Sequence, residues 1–203
     1  MACVLTKGLG VDCKDQIGGL KSIFFVSTYS PEIRSAATFN GTDVLQMDTA
    51  GFTGWSAYGD PTSSTVTVFK YALRPNLSSM TVNINSDPAT GTTWFEQTLS
   101  LQLQKLTVAQ TNELKLISYN RSQVFVQDVN DNLFLLGMDN GVDVSGGTAV
   151  TGAAKSDMTG YTLELRAEEK DPMIWLKPTA GSGTDYPFDG LSDADADLTI
   201  VAS

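Results

Sequence analysis

The chain has 203 residues, of which 41% are hydrophobic, enough for one packed core and too few for several. Thirteen Lys and Arg face 23 Asp and Glu, a formal net charge of -10 with no basic run, which argues against binding nucleic acid by neutralising phosphates. There is no histidine, so the commonest general base and the commonest metal ligand are both absent, and with them any Ser-His-Asp or Cys-His triad.

The opening MACVLTKGLGVDCKD has no sustained apolar stretch of the kind that marks a secretory leader. No run approaches the ~20 apolar residues that span a bilayer. A protein made and used in a cytoplasm, without membrane insertion, is expected. Cys3 and Cys13 have neither CxxC nor zinc-site spacing. Free thiols are expected in a reducing compartment, with a disulfide closing the short loop as the alternative outside it.

Residues 17–29 (IGGLKSIFFVSTY) read as a buried first strand. Residues 30–63 are punctuated by Pro, Gly, Asn and Asp and carry Phe39, Phe52, Trp55 and Tyr58. The stretch is long and aromatic for an idle loop. It reads either as an extended arm, with those four aromatics at an oligomer interface, or as ordinary strands and turns of the same domain.

Thr65–Leu73 forms the next strand, broken at Arg74-Pro75-Asn76. Val82 and Ile84 alternate with Thr81, Asn83 and Asn85. After DPATG at 87–91, Leu99, Leu101 and Leu103 alternate with Thr98, Ser100, Gln102 and Gln104. That period of two predicts strands with one apolar and one polar face. Residues 107–118 predict a helix, with Thr107 and Gln110 at capping-box spacing.

Ser122–Asp128, Leu133–Gly137 and a third pass from Asp139-Asn140-Gly141 read as a meander, with Ser145-Gly146-Gly147 as a turn. Tyr161, Leu163, Leu165 and Ala167 alternate with Thr162, Glu164, Arg166 and Glu168. Residues 173–176 and 197–201 are final short strands, separated by a loop rich in Gly, Ser and Asp. The expectation is a single all-β domain over 1–203, a sandwich or barrel with one flanking helix and the long early arm.

Chemistry is hard to find in this pattern. There is neither GxxxxGK[ST] nor GxGxxG to cradle a phosphate. Glu168 and Glu169 are neighbours on a strand, so they point to opposite faces and suit a solvated strand end better than a catalytic pair. Asp193, Asp195 and Asp197 alternate as calcium ligands do, but lack the central Gly and closing Glu of an EF-hand. A charged loop is the plainer reading, and no metal or cofactor is expected. Trp55, Trp94 and Trp175 are read as core or interface anchors, with sugar stacking as the alternative.

Two stretches carry a resemblance. MACVLTKGLGVDCKDQIGGLKSIFF, with Met-Ala-Cys, Cys13-Lys14-Asp15 and Gly18-Gly19 entering a strand, resembles the openings of virion structural proteins of tailed bacteriophages. TGAAKSDMTGYTLELRAEEKDPMIWL at 151–176 is similar to such proteins too. Together they cover about a quarter of the chain.

The order of strands and helix over the rest is similar to tail-tube proteins. The resemblance implies two sheets packed as a sandwich, a flanking helix and a loop that reaches an adjacent subunit. It also implies a non-enzymatic role in a tail tube, neck ring or tail-completion ring, assembled in the host cytoplasm with other virion proteins. In such a ring, taken as six copies, edge strands of neighbours pair, and DNA passes without specific binding. By strand parity Glu164 and Glu168 are then the candidates for the lumen. Acidity that serves solubility alone remains the alternative for the charge. A glycan- or receptor-binding sandwich of a phage tail and a carboxylate-dependent hydrolase are the rival classes.

Overall fold

In the computed structural model of the chain the described residues are 16–27, 29, 46–48, 66–177, 187–188 and 198–202. Among them the strands are β1 (Leu20–Val26), β2 (Gln46–Asp48), β3 (Val66–Ala72), β4 (Ser79–Asp87) and β5 (Thr92–Gln104). The helix α1 (Val108–Tyr119) follows. Then come β6 (Val124–Asp128), β7 (Leu133–Leu136), β8 (Asp143–Val150), β9 (Gly160–Glu169), β10 (Ile174–Lys177) and β11 (Leu198–Ala202).

They form two sheets, one of order β11-β3-β1-β6-β7-β10-β2 and one of order β4-β5-β9-β8. Over the described residues the fold is the expected mainly-β sandwich with one helix. Among the described residues neither sheet closes on itself, so it is not a barrel.

The seven-stranded sheet owes its place to continuous apolar runs. In β1, Ile23 and Phe25 face the second sheet, while Phe24 and Val26 face the other way, and all four are buried. β6 and β7 repeat this, with Val124, Val126 and Leu136 on the sandwich side and Phe125, Leu133 and Leu135 behind. A strand buried on both faces loses its alternation, which is why these segments read as solid hydrophobic runs. Phe188 stacks edge-on to Phe24 and Phe125 at 5.0 Å each, an apolar plug from a segment read as loop.

The four-stranded sheet keeps the alternation. Leu99 and Leu101 of β5 and Tyr161, Leu163, Leu165 and Ala167 of β9 fill the space between the sheets. The helix begins where the sequence placed it. Thr107 Oγ1 accepts the Gln110 N–H at 3.2 Å, but the Gln110 carboxamide oxygen has no partner among the described residues, so only half of the capping box forms. Asn120 ends the helix in extended backbone, its N–H shared by Leu116 and Ile117 carbonyls.

Two expectations fail here. Gly146 and Gly147 do not turn; they lie in β8, which contains a bulge between Val144 and Gly146. A Cβ at Gly147 would sit 2.7 Å from the Thr162 carbonyl, so glycine there permits close strand approach. The third pass does not continue a meander either. β8 leaves β7 and pairs with β9 in the other sheet. Within the 30–63 stretch, β2 pairs in parallel with β10 of the chain's own sheet. Phe39, Phe52, Trp55 and Tyr58 lie outside the described residues, as do Cys3, Cys13 and Asp193–Asp197.

Candidate assembly surfaces

The outer face of the four-stranded sheet is polar apart from Trp94 of β5 and Val150 of β8, which share its parity. Parity puts Thr81 and Asn83 of β4, Glu96, Thr98, Ser100 and Gln102 of β5, Thr162, Glu164, Arg166 and Glu168 of β9, and Thr148 of β8 on this side. Its charges follow a pattern. Arg166 bridges Glu96 (Nε to Oε1, 2.6 Å) and Glu168 (NH2 to Oε1, 2.8 Å). Glu96 and Glu168 are directly opposed across the β5–β9 ladder, and the guanidinium between them offsets their repulsion. Glu164 is exposed one step along, and its carboxylate makes no hydrogen bond or ion pair to any described residue. Asp143 at the start of β8 adds a fourth carboxylate, with the Arg121 guanidinium 4.0 Å from it, so four carboxylates meet two guanidiniums. The face is therefore net acidic, and both sequence candidates, Glu164 and Glu168, lie on it.

Glu169 departs from expectation. It is 3% exposed rather than part of a solvated strand end. The period of two, carried one step past Ala167, turns it inward, where its Oε1 accepts the backbone N–H of Asn140 at 2.7 Å and of Asp139 at 3.2 Å. It thus fastens the β7–β8 turn to the end of β9, and the Tyr29 hydroxyl donates to the Asp139 carbonyl in the same knot. Burial pushes the Tyr29 phenol above its ordinary range, with Arg121 opposing.

Gln97 is the other interior polar residue the sequence reading missed. Its Oε1 accepts the Gly137 N–H at 2.9 Å and its Nε2 donates to the Pro172 carbonyl at 3.1 Å. One side chain so ties the four-stranded sheet to the end of β7 and to the β9–β10 link.

Both edges of this sheet, β4 and β8, lack lysine and proline, the usual guards against strand addition. The β5–β9 ladder ends at Phe95 and Glu169, so β4 and β5 run on as a two-stranded ribbon to the turn 87–91. There Asp87 Oδ1 accepts the Ala89 N–H at 2.9 Å, which holds its carboxyl below the usual 3.8. Ile84, read as an inward residue, is 71% exposed because the ribbon has outrun the sheet that would cover it.

A groove of about 470 Å³ lies between β3, β5 and α1. Tyr71, Leu103 and Tyr161 help form its apolar floor, and Lys70, Arg74, Lys105 and Glu113 stand around it. Glu113 is the one carboxylate among the described lining residues. Trp94 and Trp175 are each 39% exposed and sit in different sheets, Trp175 edge-on to Phe134 at 4.6 Å. Among the described residues no helix is long and apolar enough to cross a membrane, and no three His, Cys, Asp or Glu converge as a metal site.

No family model and no curated protein matches the chain. A solved structure described as "Virion of native gene transfer agent (GTA) particle" is similar at 5% sequence identity and a TM-score of 0.32, over 49% of this chain and 82% of that chain.

Proposed function

We propose that the chain is a non-enzymatic structural subunit of a tailed-phage virion, forming a ring or tube through which DNA passes. The observation that carries the reading is the four-stranded sheet: two edges without lysine or proline, one apolar face in the core and one exposed acidic face. The number of strands is even and all pairings are antiparallel, so β8 of one copy and β4 of the next run antiparallel in a cyclic ring. Alternation continues around the ring without a break.

The stagger of the sheet supports closure. Asn83, the middle of β4, is level with Glu96 and so with Glu168 on β9. The middle of β8, between Gly146 and Gly147, is level with Glu164 and Leu163. The offset is four to five residues, about 15 Å at about 3.4 Å per residue. Repeated once per copy across four spacings of about 4.8 Å, it inclines the strands by about 40°, within the roughly 35–45° of closed barrels. Six copies would give twenty-four strands and a backbone radius of roughly 24 Å, leaving a bore wider than a DNA duplex.

The acidic face would line that bore, with Glu164 and Glu168 toward DNA. At 0.15 M salt the Debye length is about 8 Å, so only charges facing the lumen act on the duplex. The resemblance of residues 1–25 and 151–176 to phage structural proteins supports the same placement. Electron microscopy of the purified protein tests it. Rings or tubes with the four-stranded sheet innermost are expected. Monomers at every concentration, or rings with Glu164 and Glu168 on the outer wall, overturn respectively the assembly and the lumen assignment.

A further inference from the structure

The helix leaves the wrong side bare for a protein that works alone. α1 buries Leu114 and half-buries Ile117 in the sandwich, while Val108, Leu116 and Tyr119 are 81%, 61% and 80% exposed. At about 100° per residue these three fall within about 80° of one another, with Asn112 among them and Lys115 at their flank. Charge is the usual occupant of that side of a surface helix.

A second bare apolar strip runs along β4. Ile84 and Leu77 are exposed, and Met80 and Val82 are half-buried. Met80, Val82 and Ile84 are opposite Leu99, Gln97 and Phe95, so they point to the sandwich side of the sheet. The helix lies on that same side, at the other edge. Leu114 and Ile117 belong to the same apolar cluster as Tyr161 and Val144, and the chain leaving α1 bridges Ser122 to Val142 at the start of β8. One strip is thus beside β4, the other beside β8, and both are on one side of one sheet.

We propose that the bare stripe of α1 receives the β4 edge of a second copy, with Ile84 and Val82 against Val108, Leu116 and Tyr119. This rests on the ring reading and adds the contact that makes the ring hold. The operation that pairs β8 with the next β4 carries the two strips together. Val108 to Tyr119 spans about 16 Å of helix and Met80 to Ile84 about 14 Å of strand, so their lengths match. Strand pairing alone is too small. An eight-residue edge covers roughly 300 Å² per copy, against roughly 800 Å² in a stable contact. The added surface must adjoin β8 on one copy and β4 on the other, and these strips do.

A charge swap tests the pairing, using the full chain as wild type, Ile84→Lys, Leu116→Glu and the double variant. Assembly is read by light scattering and microscopy over a concentration series, and folding by circular dichroism and urea midpoint. Both positions are exposed, so all four should fold. Ile84→Ser and Leu116→Ser repeat the test without added charge. Each single variant should need at least about tenfold more protein to assemble, and the double variant should recover most of that loss. Single variants that assemble like wild type overturn the contact and leave the ring reading standing. Singles that fail with no recovery in the double show that the two positions do not meet, and overturn it equally. A wild-type chain that never assembles sinks the ring reading itself, and this contact with it.

Discussion

The two sheets of this protein solve different problems with the same kind of strand. The seven-stranded sheet is buried on both faces at β1, β6 and β7, against the second sheet on one side and with Phe188 on the other. The four-stranded sheet is buried on one face only and spends the other on Thr, Ser, Gln and a few charges. The first is covered on both sides and the second on one. That division gives a testable asymmetry: substitutions should be costly in one sheet and nearly silent on the outer face of the other.

The largest effect is expected at Phe24, fully buried between Phe125 and Phe188. Phe24→Ala should cost about 3–5 kcal/mol, from lost transfer energy plus an unfilled cavity. Ser100→Ala, on the outer face of β5, should stay within about 0.5 kcal/mol. Urea unfolding of both variants reads the contrast directly. Comparable losses at the two positions would mean that the sheets share one role.

Next in size is the residue that links them. Gln97→Leu fills a similar volume but removes the acceptor of the Gly137 N–H, and a Cβ at Gly137 would meet Val142 at 2.5 Å, so that turn has no slack to find another partner. A buried unsatisfied donor costs about 1–3 kcal/mol. The expected signature is a lowered urea midpoint together with faster exchange of the Gly137 amide. A midpoint equal to wild type would show that the link is dispensable.

The same contrast explains what could be read in advance. The four-stranded sheet was legible because alternation survives wherever one face is wet: Leu99 and Leu101, then Tyr161, Leu163 and Leu165, each announce their own parity. The helix was legible through Thr107. Sheet membership was not, since nothing local tells β8 to leave β7 for β9. Gly146-Gly147 misled because a glycine pair in which only Gly147 serves close strand approach looks the same in sequence as one that turns. Glu169 was within reach, one further step of the parity that Ala167 obeys, but charge suggested a solvated end. Ile84 obeyed the period of two and still came out exposed, because periodicity tells which side a residue faces and not whether anything is there to cover it. Of the candidate site, Glu164 and Glu168 followed from parity, whereas the α1 stripe and the β4 strip required knowing that both lie on one side of one sheet.

A smaller effect tests the charge pattern of the outer face. Arg166→Gln leaves Glu96 and Glu168 opposed without a cation between them. Opposed like charges destabilise by about 0.2–1 kcal/mol, and salt screens them. The loss should appear in low salt and shrink near 1 M sodium chloride, whereas Glu164→Gln should show neither the loss nor the salt dependence. A salt-independent loss in Arg166→Gln would assign the residue to packing by its stem.

The smallest effect compares the two turns that cap this sheet at opposite ends. Asp87 accepts the Ala89 N–H before the β4–β5 turn, and Asp157 accepts the Ala153 and Ala154 N–H groups between β8 and β9. Both carboxyls are held below the usual 3.8, the first chiefly by the Ala89 N–H and the second chiefly by the Ala154 N–H, with desolvation opposing in each. A folded-state value below the unfolded one means that each bond contributes fully above the unfolded value and is lost as pH falls through the folded one. Carboxyl chemical shifts followed by NMR should therefore titrate with midpoints under 3.8 at both residues, and the amide shifts of Ala89, Ala153 and Ala154 should move with the same midpoints. Global unfolding should not accompany them, because the core holding the sheet contains neither turn. Midpoints at or above the ordinary value would mean that the bonds do not form in solution. In that case the ribbon carrying Ile84 would lose the turn that presets its shape for the proposed contact with a second copy.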